Sequence, residues 1–210
     1  MACKPATLYY VHDPMCSWCW GFAPVLADLL KQLPQEIEVK RLLGGLAVDT
    51  SEPMPEAMQN MLQDTWRRIE QKIPGTHFNF DFWVNCQPRR STYPSCRAVI
   101  AARQQGEVFD ELMTKAIQQA YYRQARNPSD DETLIALAVE TGLDEARFRL
   151  DFVAPSTQQQ LLDEIELSRE LYAESFPALV FRQGTSNRSV PIDYLDATPM
   201  LEVIDSFRND

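Results

Sequence analysis

Two thiols spaced to bridge one another are the residues of this chain best suited to chemistry. Cys16 and Cys19 lie in Asp13-Pro14-Met15-Cys16-Ser17-Trp18-Cys19-Trp20-Gly21-Phe22. Positions three apart share one helical face, within disulfide reach. A β-branched and aromatic run, Thr7-Leu8-Tyr9-Tyr10-Val11, comes before them, and the periodic apolar positions Phe22, Val25, Leu26, Leu29 and Leu30 come after. That pattern reads as strand, turn and helix, with the pair on the helix's first turn. Backbone N–H groups there lack intrahelical partners, and the positive end of the macrodipole favours a thiolate. Thiol pKa values in such settings fall to roughly 3.5–7.5 from about 8.5. Cys16, nearer the helix start, is the expected nucleophile. Cys19, one turn in, is the expected resolving thiol of a dithiol/disulfide couple.

The same spacing is a zinc half-site. The other half would have to come from Cys86 and Cys96, or from His12 or His77. That spacing is no recognised knuckle or ribbon, so no metal is expected, and the strand-turn-helix setting favours redox chemistry. Cys86 and Cys96 are candidates for a second redox pair or relay, and equally suit two small buried residues. Cys3, near the terminus, is expected to be idle. Trp18 and Trp20 flank the thiols and suit either an apolar substrate platform or core packing. His12 and Asp13 are placed to modulate a thiol, although Asp13 before Pro14 is equally turn chemistry. His77 reads as a packing or surface residue, Arg89-Arg90 as solvated, and Tyr121-Tyr122-Arg123 as a helix face.

The positioning elements follow from periodicity. A strand over 7–13, a helix over 17–31 and a strand over 37–43, ended by Gly44-Gly45, make one β-α-β unit, which favours parallel strands. Residues 53–172 read as all-helical, with an irregular aromatic stretch over 76–90. Ser129-Asp130-Asp131-Glu132 is a capping-box sequence, and Ser156 or Thr157 is the expected cap of a helix reaching Tyr172. Strands return at Pro177-Ala178-Leu179-Val180-Phe181 and Ser189-Val190-Pro191-Ile192, where Pro191 suggests a sheet edge. Thr198-Pro199 opens a last helix. The outer pieces can join into one mixed sheet, with the helical block inserted between them.

Composition narrows the partners. The chain has 210 residues, 45% hydrophobic and 24% charged, which suits one domain or one domain with a large insertion. A net charge of -10 makes nucleic acid and anionic lipid poor partners. No apolar run approaches the roughly 20 residues of a membrane span. Met1-Ala2-Cys3-Lys4-Pro5 lacks the basic-then-apolar order of a secretory signal, so the expected location is the cytoplasm. Five cysteines, an odd number, argue against a structural disulfide framework.

With that layout, the chain resembles the thioredoxin fold, and more closely the DsbA-like dithiol-disulfide oxidoreductases in their cytoplasmic, FrnE-type branch. The resemblance rests on the Asp13–Phe22 stretch, on Ser91-Thr92-Tyr93-Pro94-Ser95-Cys96-Arg97-Ala98 and on Ser175-Phe176-Pro177-Ala178-Leu179. It implies an α/β thioredoxin-like fold: a first half over 1–50, a helical insertion over 51–172 and a second half over 173–210. It also implies that Cys16 attacks, that Cys19 resolves, and that Pro177 is a cis-proline beside them. Phe176 would then present its backbone to an extended substrate. The implied partners are protein or peptide thiols and disulfides, with glutathione as a redox partner and no other cofactor. The chain would be a monomer, or a dimer through the helical block. Two alternatives stand beside this reading. One is a kappa-class glutathione transferase or isomerase, whose members typically carry Ser where this chain has Cys16. The other is a zinc-binding or docking protein without turnover.

Overall fold

The computed structural model describes residues 6–209, so Cys3 lies outside the described residues. The elements in order are β1 (Ala6–His12), α1 (Ser17–Gln32), β2 (Ile37–Leu43), α2 (Glu56–Lys72), α3 (Phe82–Asn85), α4 (Tyr93–Arg103), α5 (Val108–Arg123), α6 (Asp131–Glu140), α7 (Glu145–Phe152), α8 (Pro155–Glu170), β3 (Ala178–Gln183), β4 (Ser186–Val190) and α9 (Thr198–Asn209).

The four strands form one sheet in the order β2-β1-β3-β4. β1 runs parallel to β2, as a β-α-β unit requires, and antiparallel to β3, which pairs antiparallel with β4. β1 is central and covered on both faces, which explains its nearly continuous apolar run. Leu8 and Tyr10 face Phe22, Leu26 and Leu29 of α1 and Met200 and Ile204 of α9. Tyr9 and Val11 point the other way, with Leu42, Val180, Leu171 and Ala173.

The helices between β2 and β3 share a separate core. Trp66 of α2 stacks on Phe78 at 4.8 Å and is ringed by Phe82, Trp83, Tyr121 and Tyr122. The 76–90 stretch is irregular except for α3, and its aromatic side chains bury against Trp66. A charged network fastens this core to the sheet. Arg41 of β2 pairs with Asp110 of α5 at 2.7 Å. Asp110 in turn meets Arg103 of α4 at 2.6 Å, and Arg103 meets Glu164 of α8 at 2.6 Å. Glu164 accepts the Leu43 N–H at 2.8 Å.

Several local expectations need correction. The capping box before α6 does not form. Asp130 is the N-cap but makes no side-chain cap bond, and its carboxylate instead pairs with Arg89 at 2.6 Å. Arg89 is therefore held in an ion pair and not merely solvated. Helix α8 begins at Pro155 after Ala154, because a proline suits the first helical position better than the expected Ser156 or Thr157 cap. β4 ends at Val190, which leaves Pro191 just beyond the ladder. Among the described residues, no helix is long and apolar enough to cross a membrane.

Candidate active site

Cys16 is the N-cap of α1, with φ -82° and ψ 115°. Its N–H donates to the Asp13 carbonyl at 3.0 Å, which closes the turn out of β1. Cys16 is 7% exposed and Cys19 is 0% exposed, and both are free thiols. The Cys16 sulfur thus sits at the positive end of a 16-residue helix. Burial, reinforced by the neighbouring Cys16, pushes the Cys19 thiol well above its ordinary range.

The second loop at the site leads from α8 into β3. The Cys16 Sγ donates to the Phe176 carbonyl at 3.5 Å, and the Phe176–Pro177 peptide bond is cis. Pro177 is buried and Phe176 half-buried. The Phe176 ring occupies the space over Gly44, where a Cβ would fall 2.1 Å from its edge. Gly44 therefore does more than end β2, because any side chain there would force the Phe176 ring to move.

Asp13 holds the loops together. Its Oδ1 accepts the Met15 N–H at 2.8 Å. Its Oδ2 accepts the Leu46 N–H at 2.7 Å, the Thr92 hydroxyl at 2.6 Å and the Cys96 thiol at 3.6 Å. Burial raises the Asp13 carboxyl, and these bonds pull it partly back. Turn chemistry is therefore only part of its role, since it also ties the thiol turn to the loop after β2 and to the head of α4.

Cys86 and Cys96 are not paired. Cys96 is buried and bonded to Asp13, whereas Cys86 is half-buried and donates to the Ala125 carbonyl at 3.0 Å. Among the described residues, no group of three or more His, Cys, Asp or Glu side chains is placed to hold a metal ion, as the zinc reading requires. Trp18 and Trp20 are both half-buried and diverge. Trp18 packs on Tyr194 at 5.1 Å, beneath the Lys72 ammonium, while Trp20 stacks on Tyr122 at 5.8 Å and joins the helical core. His77 is exposed.

Sequence reasoning missed Tyr10, Thr92 and Tyr194. Tyr10 reads only as a strand residue, yet it stacks on His12 at 4.7 Å and meets the Cys19 thiol. Thr92 reads as part of a helix entry. For Tyr194 there is no local signal, because its contact with Trp18 spans the whole chain.

His12 is fully buried, and neither ring nitrogen has a hydrogen-bond partner among the described residues. Burial, then Arg41 and Arg103, holds its pKa well below the ordinary value of 6.5. In the unfolded chain His12 takes a proton as pH falls through about 6.5, while in the fold it stays neutral. Stability is therefore lost below that pH, by up to about 1.4 kcal/mol per unit. Asp13 and Glu164, raised by burial, act in the opposite sense above the ordinary carboxylate range, so the comparison with a variant isolates His12. Urea unfolding between about pH 7.5 and about pH 5 is expected to show this slope in the native protein and a flatter one in His12→Phe. Equal slopes would refute a neutral buried His12.

Comparison with known proteins agrees with this geometry. A family model described as thioredoxin matches residues 9–201. A candidate protein disulfide isomerase from Nitrosomonas europaea superposes with a TM-score of 0.84 at 28% identity, covering 98% of both chains. The cytosolic disulfide reductase DsbM from Pseudomonas aeruginosa superposes at 0.71 with 25% identity, covering 97% of this chain and 95% of that one. A DsbM structure with GSH superposes at 0.69. The ClpXP adapter protein SpxH of Halalkalibacterium halodurans is 25% identical over 182 residues, which are 85% of this chain and 59% of that protein. The chain thus spans about three fifths of the length of the curated relatives it matches. It belongs to the thioredoxin family.

Proposed function

We propose that the protein is a thiol-disulfide oxidoreductase acting in the cytoplasm on protein or peptide thiols and disulfides through a Cys16–Cys19 couple. The observation that carries this reading is the Cys16 sulfur at the head of α1, against the Phe176 carbonyl beside cis-Pro177, with Cys19 fully buried behind it. Likeness to a cytosolic disulfide reductase and a candidate isomerase supports it.

In the reducing direction, the Cys16 thiolate attacks one sulfur of a substrate disulfide. The substrate S–S bond breaks, a mixed disulfide forms, and the other substrate sulfur leaves as a thiolate. Cys19 then gives up its proton and attacks the Cys16 sulfur. The mixed disulfide breaks, the Cys16–Cys19 disulfide forms, and the second substrate thiolate is released. The enzyme has then lost the two electrons that the substrate gained. Two molecules of glutathione, oxidised to their disulfide, can restore the dithiol, a role in keeping with the GSH in a DsbM structure. Cys19's raised pKa fits its role as the second, buried thiol that acts only once Cys16 is engaged.

The test is the redox equilibrium of the native protein and of Cys16→Ser in glutathione buffers, read by Trp18 and Trp20 fluorescence. The expected result is a two-electron transition in the native protein that the variant lacks. Its midpoint tells reductase from oxidant, with about 30 mV corresponding to 1.4 kcal/mol. An absent transition, or one unchanged by Cys16→Ser, overturns the proposal. It would favour docking without turnover, the reading that the match to the SpxH adapters supports.

A further inference from the structure

A cleft of about 450 Å³ is walled by α1 and α5 and floored by Tyr10 and Arg41. That size falls within the range of small-molecule sites, about 300–1,000 Å³. Its lining differs from the rest of the surface. The whole chain carries a net charge of -10, yet Arg41, Lys115 and Arg123 line this cleft against Glu111 alone. Asp110 neutralises Arg41. Neither Lys115 nor Arg123 has a carboxylate partner among the described residues.

The polar groups inside are also unusual. Thr114 and Gln118 line the cleft while being only 4% and 5% exposed. The Thr114 hydroxyl and the Trp20 indole N–H are buried without a hydrogen-bond partner among the described residues. Both atoms lie sealed behind the cleft wall, so the groups free to meet a ligand in the cleft are the exposed Lys115 and Arg123 side chains. The apolar part of the lining, Pro24, Ala27 and Leu30 of α1 beside the Trp20 and Tyr10 rings, suits a flat or apolar body.

We infer that this cleft binds a small organic anion, a carboxylate or sulfonate on an aromatic or apolar body. Its acidic group is held near Lys115 and Arg123, and its body lies along α1 over Trp20. The binding itself needs neither thiol and does not rest on the redox assignment. Its position has a consequence for that site all the same. Tyr10 meets the cleft on one side and the Cys19 thiol on the other, so occupancy would be felt at the buried member of the pair.

The test uses Cys16→Ser/Cys19→Ser protein titrated with 8-anilino-1-naphthalenesulfonate, so that failure of the redox reading leaves the result intact. The expected result is one saturable site per chain, with tryptophan emission quenched as the probe binds. Ala27→Trp fills the cleft from an exposed helix position. It is expected to weaken binding at least about tenfold, as is Lys115→Glu/Arg123→Glu, while Trp18→Ala leaves it unchanged. Non-saturable binding overturns the inference, as does binding that survives both cleft variants. So does loss of binding in Trp18→Ala, which would put the probe on the thiol face.

Discussion

Cys16→Ser is expected to lose at least about 10³-fold in turnover of a test disulfide, because a serine hydroxyl neither ionises near neutral pH nor forms a bond to sulfur that a thiol can exchange. The effect should be chemical and not structural. Cys16 caps α1 through its backbone and makes no side-chain cap bond, so a hydroxyl of similar size leaves the helix start in place. Cys19→Ser separates the two roles. Cys16 would still attack, but nothing would resolve the intermediate, and a mixed disulfide with the substrate should accumulate, visible as added mass that dithiothreitol removes. Turnover that survives in Cys16→Ser would transfer the chemistry to Cys86 or Cys96. The structure offers little support for that outcome, since Cys96 is tied to Asp13 and Cys86 to the Ala125 carbonyl.

The largest effect on stability is expected from Arg103→Met. Its guanidinium joins Asp110 and Glu164, whose side chains are almost fully buried, and Glu164 also holds the backbone of β2. Burial alone would raise the Glu164 carboxyl, and Arg103 is the main influence drawing it back down. Removing the cation leaves Glu164 without its partner and Asp110 with Arg41 alone, at a cost of about 3–5 kcal/mol. That is a large share of the roughly 5–15 kcal/mol that holds a domain folded. Arg126→Met offers the contrast, because its pair with Glu140 is largely solvated and should cost less than about 1 kcal/mol. Urea unfolding of the two variants measures both. If Arg103→Met costs no more than Arg126→Met, the network does not fasten the helices to the sheet.

Much of this was legible along the chain. The 3.6-residue and two-residue periods mark nearly every helix and strand, because each must bury one face. Local chemistry misled in places. Ser129-Asp130-Asp131-Glu132 carries the residues of a capping box, but Arg89, 41 positions away, takes the Asp130 carboxylate. A charge-assisted bond to a half-buried guanidinium outweighs a local cap. Gly44 reads as the end of a strand, but its missing side chain is what admits the Phe176 ring.

The sequence by itself determined the thiol pair, its place at a helix start, the β-α-β and β-β-α halves and the helical block between them. All of these depend on residues near one another in the chain, through spacing, periodicity and turn chemistry. Only the tertiary structure decided which groups surround the pair. Phe176 reaches Cys16 from 160 positions away, and Thr92 and Cys96 reach Asp13 from 79 and 83. Tyr194 covers Trp18, and Tyr10 and Trp20 open onto a cleft between α1 and α5. Contacts of that range are set by how the sheet and the helical core pack together, and a pattern confined to one segment carries no trace of them.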